Sequence, residues 1–248
     1  MKLVGSPITE TPSYVYLGRS LNMENDLEEE LNRRSRAAWA AFGPLREATD
    51  HLRNPELRAH LFDATVLPAL CYAAETWLDT VTTSRKLRTT HRALERCLLK
   101  YNRRTQHQAG LCSSDLRRMS RLRDPAEYTL KAKYRWAGHI VRRTDDRWTK
   151  RTLEWIPRDV KRPRGRPPKR WADVFVEKVD QLRNQLGTIF GNGIDTRRRL
   201  QARRIPTWMT LARQRNEWMR CCTTREDRPF KYLSVGGRQR KSVQMECR

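Results

Sequence analysis

A chain of 248 residues carries 52 Lys and Arg against 28 Asp and Glu, a formal charge of +24, with 38% hydrophobic residues and eight Trp. That length and apolar content suffice for one or two domains with a real core, which excludes wholesale disorder. No run approaches the ~18–20 apolar residues of a membrane span, and an N-terminus broken by Pro7, Glu10 and Pro12 predicts no signal peptide.

In chain order, Lys2-Leu3-Val4 and Tyr14-Val15-Tyr16-Leu17 are β-prone, separated by Gly5, Pro7 and Pro12, and Gly18 ends the second run. They predict one small hairpin. Asn25 is then expected to cap a helix with Leu27, Leu31, Ala38 and Phe42 on its apolar stripe, stopped at Gly43-Pro44. Asn54-Pro55 predicts a cap followed by Pro in the first turn, and Pro68 is expected to kink or break that helix before Leu70-Cys71-Tyr72 and Trp77. A further helix is expected over about 84–101, with Leu87, Leu94, Leu98 and Tyr101 on one stripe. Asp124-Pro125 repeats the cap-then-Pro signal and launches Leu130, Tyr134, Ala137 and Val141. Asp145 or Asp146 is expected to cap a short basic helix bearing Trp148, Leu153 and Trp155. Pro157 and the stretch from Pro163 to Pro168 forbid regular structure. Helices resume with Trp171, Phe175, Val179 and Leu182, and again with Trp208, Leu211, Arg215 and Trp218, with a loop from Gly187 to Gly193 between them. The fold class expected is mainly α, with a small N-terminal β-hairpin.

The charge is unevenly placed. Residues 1–80 hold 8 basic and 12 acidic side chains, so the remainder holds 44 basic and 16 acidic, a net of +28. Pairing at i,i+4 needs matching acids, which this excess lacks, so a polyanion-binding surface is favoured over a merely solvated one. The six Cys include no C-x-x-C pair, and Cys97, His107 and Cys112 lack a fourth ligand nearby, so neither a disulfide framework nor a zinc site is expected.

The stretch Lys161-Arg162-Pro163-Arg164-Gly165-Arg166-Pro167-Pro168-Lys169-Arg170 is the most telling. Its core, Arg164-Gly165-Arg166-Pro167, resembles an AT-hook. Prolines hold the backbone extended, Gly165 leaves room for close approach, and Arg164 and Arg166 are placed to enter a narrow A·T minor groove. Lys161, Arg162, Lys169 and Arg170 remain for flanking phosphates, while a plain basic linker or a nuclear-import signal is the blander alternative. Arg142, Arg143, Arg147, Lys150 and Arg151 extend the same basic region, and Trp148 and Trp155 within it are the tryptophans best placed to stack on bases. Most of the tryptophans fall on apolar stripes, so core packing is the default expectation for them. His139 is expected to be a cap or a core residue. Asp145-Asp146, the one adjacent Asp pair, lacks the third acid of a two-metal site. No Gly-rich phosphate loop or nucleophile–base pattern is present, so no catalytic residue, metal or cofactor is expected.

Several stretches together resemble the C-terminal part of a non-LTR (LINE-type) retrotransposon reverse transcriptase. They are Tyr14-Val15-Tyr16-Leu17-Gly18, Leu67-Pro68-Ala69-Leu70 with Glu75-Thr76-Trp77, and His91-Arg92-Ala93-Leu94-Glu95-Arg96. Arg135-Trp136-Ala137-Gly138-His139, Asp146-Arg147-Trp148-Thr149, Gly165-Arg166-Pro167-Pro168 and Arg170-Trp171 continue the series, which spans roughly residues 3 to 220. The resemblance implies a hairpin that follows the polymerase palm, then a helical thumb and a C-terminal extension that hold a template–primer duplex. The family's catalytic aspartates, in an Ala-Asp-Asp type motif upstream of the hairpin, have no counterpart here, nor does its endonuclease domain. The expected organisation is therefore a hairpin remnant over 1–20, a thumb-like helical unit over 21–110 and a basic helical extension over 111–160. An AT-hook-like linker over 161–170, C-terminal helices over 171–222 and a basic tail over 223–248 complete it. The expected function is binding of DNA, RNA or a hybrid duplex, with retroelement RNA among the possible ligands, without RNA-directed DNA polymerase activity. The alternatives are the thumb portion of an active polymerase completed by upstream sequence, or an AT-hook-type DNA binder. No membrane and no small-molecule substrate are expected, and the expected location is nuclear.

Overall fold

The computed structural model describes residues 2–3, 6–7, 11–52, 54–145, 147–154, 165, 169–189 and 208–222. The chain is mainly helical, with small antiparallel hairpins at its start. Lys2–Leu3 (β1) pairs with Ser6–Pro7 (β2), and Ser13–Tyr16 (β3) pairs with Arg19–Asn22 (β4). The sequence suggested instead that the first run pairs with the second. The difference lies in Leu17-Gly18, where both residues take positive φ, 47° and 79°, as a two-residue hairpin turn requires. So short a loop folds β3 back onto the very next residues, a cheaper closure than reaching the N-terminus.

Helix α1, Glu28–Thr49, opens with Glu28, Glu29 and Glu30 against the positive end of its dipole. Asn25 does not cap it. Asn22 brackets Asp26 through both its side-chain oxygen and nitrogen, Asn25 turns left-handed (φ 54°), and Asp26 receives the Glu28 amide. Nor does Gly43-Pro44 end it. Ala40, Gly43 and Pro44 are exposed, so the carbonyl that Pro44 leaves without a helical donor lies on the solvent side. Beyond it Leu45 and Thr49 are buried and sustain the last turns.

Helix α2, Pro55–Leu70, starts where expected, with the Asn54 side chain accepting from the amides of Glu56 and Leu57. Pro68 does not break it, because Ala64, whose carbonyl Pro68 would have used, is likewise exposed. The chain turns only at Ala73 (φ 56°), through a 3-10 turn over Ala74–Thr76. Helix α3, Val81–Leu98, begins earlier than predicted because Thr80 accepts from the Thr83 amide at 3.1 Å, an N-cap overlooked in the sequence. Two short helices unforeseen in the sequence follow, α4 (Arg103–Gln108) and α5 (Ser113–Ser120).

Helix α6, Pro125–Arg142, is capped by Asp124 as its Asp-Pro signal indicates. After it come α7 (Trp148–Glu154), α8 (Asp173–Ile189), α9 (Trp208–Arg213) and α10 (Arg215–Cys222). Helix α8 passes through Gly187, where a loop was expected, since one Gly costs a helix only about 1 kcal/mol. One C-terminal helix was expected where α9 and α10 divide at Gln214. Trp155, residues 190–193 and the tail after Cys222 lie outside the described residues. No helix of the described residues is long and apolar enough to cross a membrane.

Two cores result. The first gathers Phe42, Phe62, Leu67, Leu87, Leu94 and Trp77 from α1, α2, α3 and the turn after α2. The second gathers Tyr134, Phe175, Val179, Trp208 and Trp218 from α6, α8, α9 and α10. Helix α6 is a wall of both. Lys133 reaches one way to the Trp77 carbonyl (3.0 Å), while the Trp218 indole donates to the Tyr134 carbonyl (2.8 Å) on the other side. Trp171 in turn donates to the Glu75 carbonyl at 2.7 Å, across 96 residues of chain.

Gly138 lets α10 approach α6. A Cβ there would sit 2.8 Å from Trp218 Cδ1 and Nε1 and 2.7 Å from an Arg142 guanidinium nitrogen, and both partners are tethered by hydrogen bonds. In an open helix Gly→Ala gains up to about 1 kcal/mol, but here Gly138→Ala is expected to lose about 1–3 kcal/mol by overpacking. Urea denaturation checks it, and a stabilised variant would contradict the close packing.

Candidate nucleic-acid interface

Of the residues singled out in sequence, Lys161, Arg162, Arg164 and Arg166 lie outside the described residues, as does Asp146. Gly165 is exposed, with φ of 101° and open space where a Cβ would stand. Lys169 pairs with Glu177 at 3.5 Å, and the Arg170 amide donates to the Asp173 carboxylate at 2.7 Å, closing the start of α8. Arg142 is half-buried and donates to the Ala212 carbonyl at 2.8 Å, so its guanidinium fastens α9 to α6. Asp145 does not cap α7. Arg147 occupies that position, accepting from the Lys150 amide, and the Asp145 carboxylate pairs with Arg147 (2.6 Å) and Arg143 (3.6 Å). Trp148 projects at 77% exposure with the Arg151 guanidinium 5.5 Å from its ring, and Lys150 is nearby on the same short helix. An exposed indole on a basic helix is the chemistry that stacks on a base. Trp77, Trp208 and Trp218 are buried in the cores as expected and Trp136 and Trp171 are half-buried, but Trp39 is exposed on α1, and His139 is an exposed residue in the last turn of α6, neither cap nor core.

A second basic surface went unnoticed in the sequence because its members are far apart along the chain. Asp124 is its pivot. Its carboxylate accepts the amides of Ala126 and Glu127 at the start of α6, the Arg88 guanidinium (2.9 Å) and, more distantly, Arg117 (3.6 Å). Burial pushes the Asp124 pKa upward, but the Arg88 hydrogen bond and charge, with the two amides, together hold it below the ordinary carboxylate value. Around this pivot lies a hollow of about 580 Å³, bordered by Arg88, Arg117, Arg121, Tyr128, Lys131 and Arg135. A second hollow of about 440 Å³ shares Arg88 and adds Arg85, Arg92 and Lys169. Some of these cations are engaged, Arg121 with Glu56 and Arg123 with Asp63. Arg85, Arg92 and Arg135 are exposed and have no ion-pair partner among the described residues. The available signal was periodic: 85, 88 and 92 recur at the three- and four-residue spacing of one α-helical face.

Beneath the cleft, α3 buries His91 and Glu95 on one side. Glu95 accepts from the Ser120 hydroxyl at 2.5 Å, and burial raises its pKa. His91 lies edge-on to Phe62, its Nε2 has no partner among the described residues, and burial lowers its pKa to about 4 against the influence of Asp124. Because the folded chain refuses a proton that the unfolded chain accepts below about 6.5, His91 destabilises the fold as pH falls from 6.5 to 4, by up to about 3 kcal/mol. Glu95 acts with the opposite sign, since its raised folded pKa makes stability fall as pH rises through it. Stability of wild type minus His91→Leu, measured in urea at several pH values, isolates the histidine: the difference is expected to shift against wild type below pH 6.5. A pH-independent difference would refute the assignment. Lys133 is also buried. Desolvation lowers its pKa to about 8 although Asp79 opposes this, and the rings of Trp171 and Phe175 lie 5.4 and 6.0 Å from its ammonium. The cavity beside it, about 20 Å³, has room for little more than one water. Among the described residues no group of three or more His, Cys, Asp or Glu is placed to hold a metal ion.

The chain is thus a helical protein with two cores, one shared helix and clustered surface cations. No protein-family model and no solved structure matches it. It is 40% identical over 220 residues to a putative uncharacterized transposon-derived protein of Caenorhabditis elegans, an alignment covering 87% of this chain and 73% of the nematode protein. The chain belongs to this transposon-derived family.

Proposed function

We propose that the chain is a nucleic-acid-binding derivative of a non-LTR reverse transcriptase, corresponding to the hairpin, thumb and extension that follow the palm. The observation that carries this is the clustering of exposed cations on a helical scaffold, around Asp124 and on α7 beside the open indole of Trp148. The order of motifs along residues 3–220 and the transposon-derived relative support the retroelement ancestry. Binding rests on Arg and Lys contacts to phosphates and is largely indifferent to sequence. The chain itself carries no polymerase chemistry, since nothing in it corresponds to the Ala-Asp-Asp motif. It acts in the nucleus on DNA, RNA or their hybrid.

An anisotropy titration of the purified chain against labelled DNA and RNA at about 50 and 200 mM salt tests this. Six or more phosphate contacts predict a loss of affinity of about a thousandfold between the two. Salt-insensitive binding, or none, refutes the proposal, and primer extension by the same preparation is expected to be absent. The open backbone at Gly165 favours a second reading, A·T-selective contact through Arg164 and Arg166. Arg164→Ala with Arg166→Ala should then abolish any preference for A·T-rich duplexes.

A further inference from the structure

Resting on that reading and narrowing its ligand, we infer that Trp148 on α7 takes an unpaired base, so that the chain favours nucleic acid with single-stranded nucleotides over a continuous duplex. Trp148 is the most exposed tryptophan among the described residues, at 77%. The Arg151 guanidinium, one turn further along α7, stands over its ring, 5.5 Å from the centroid. A side chain so exposed, with a cation over one face, presents the opposite face to solvent. Helix α7 is not a free segment: it packs on α6, and Leu153 fastens it to the second core. The indole is therefore carried by the packed scaffold. Arg147, Lys150 and Arg151 stand within three residues of it along the chain. They supply counter-charge for the phosphates that accompany a stacked nucleotide.

The open face of the ring decides the class of ligand. Inside a duplex every base is stacked on both sides, at a spacing of about 3.4 Å, so neither of its faces is free to meet an indole. A single strand, an overhang or a bulge exposes such faces. Stacking one of them on an aromatic side chain is worth about fivefold to a hundredfold in affinity, with little regard to sequence. Phosphate contacts are open to duplex and single strand alike, so the indole is what separates the two ligands. An exposed ring can also be driven as a wedge between stacked base pairs. That use must first unstack them, a cost that an already unpaired base does not carry. Arg151 strengthens the platform, since its charge is held against one face of the ring while the other receives the base.

The test uses the full chain, a labelled single-stranded DNA of about 20 nucleotides and the matching blunt duplex. Trp148→Ala is expected to bind the single strand at least about tenfold more weakly and the duplex within about threefold of wild type. Trp148→Phe keeps a ring and is expected to retain most of the single-strand affinity. Lys150→Ala, by contrast, should weaken both ligands alike and make the salt slope shallower. Binding of the single strand should also quench tryptophan emission, and most of that quench should disappear in Trp148→Phe. This second readout stands even if melting curves show that Trp148→Ala is misfolded. Single-strand affinity unchanged in Trp148→Ala, or a quench unchanged in Trp148→Phe, overturns the stacking site while leaving nucleic-acid binding intact. Equal losses on single strand and duplex indicate a wedge and overturn the preference for an unpaired base. Absence of wild-type binding to either ligand removes the reading on which the inference rests.

Discussion

Glu30→Ala is expected to destabilise the protein by about 3–5 kcal/mol, among the largest effects of any single substitution outside the aromatic core. The Glu30 side chain is wholly buried and accepts from the Ser20 amide (2.8 Å) and from Arg34 Nε (2.6 Å). Arg34, itself buried, donates to the Gly18 carbonyl and lies 4.8 Å from the Tyr72 ring, while Tyr72 donates to the Leu17 carbonyl at 3.2 Å. One carboxylate therefore ties the β3–β4 hairpin, α1 and the turn after α2 together. Removing it leaves the buried Arg34 guanidinium without its counter-charge, with only the Gly18 carbonyl to accept from it, and the Ser20 amide without an acceptor. Replacing both charges, Glu30→Leu with Arg34→Met, should recover most of the loss, because the cost lies in the unpaired charge. Urea denaturation of Glu30→Leu, Arg34→Met and the double variant gives the coupling energy. A loss below about 1 kcal/mol for Glu30→Ala would show that the network contributes little.

Phe175→Ala is expected to cost a similar about 3–5 kcal/mol. Its ring is fully buried and forms the hub of the second core, with centroids of Trp208 at 4.8 Å, Trp171 at 5.0 Å, Tyr134 at 5.1 Å and Trp218 at 5.7 Å. Truncation leaves a cavity bounded by large rings whose own hydrogen bonds, to Glu75 and Tyr134, keep them from collapsing into it. Tryptophan emission should move to the red with the loss of stability, as indoles gain contact with water. An unchanged spectrum together with wild-type stability would exclude the ring as the hub.

Local signals are legible in the sequence where the chemistry is confined to a few neighbours. Asn54-Pro55 and Asp124-Pro125 each predicted a cap and a first turn, and both formed. The mainly helical class and the burial of Trp77, Trp208 and Trp218 followed from apolar spacing in the same way. The misplaced boundaries, at Pro44 and Pro68, came from treating proline as an absolute stop when the orphaned carbonyl faces water and the next turns are buried. The cleft was harder to see, because Arg88, Arg117 and Arg135 become neighbours only through the packing of α3, α5 and α6. Contiguous charge draws the eye to residues 142–170, where, among the described residues, Arg142, Arg143, Arg147 and Lys169 are committed to local carboxylates and a carbonyl.

The shared wall formed by α6 has a topological consequence. Residues before 143 supply one side of the second core and residues after 170 supply the other, and Trp171 returns to grip Glu75 near the first. The chain is thus sewn back through its own interior: Tyr134 and Phe175 stay open to water until Trp208 and Trp218 arrive from residues beyond 207, so the second core is the last to close.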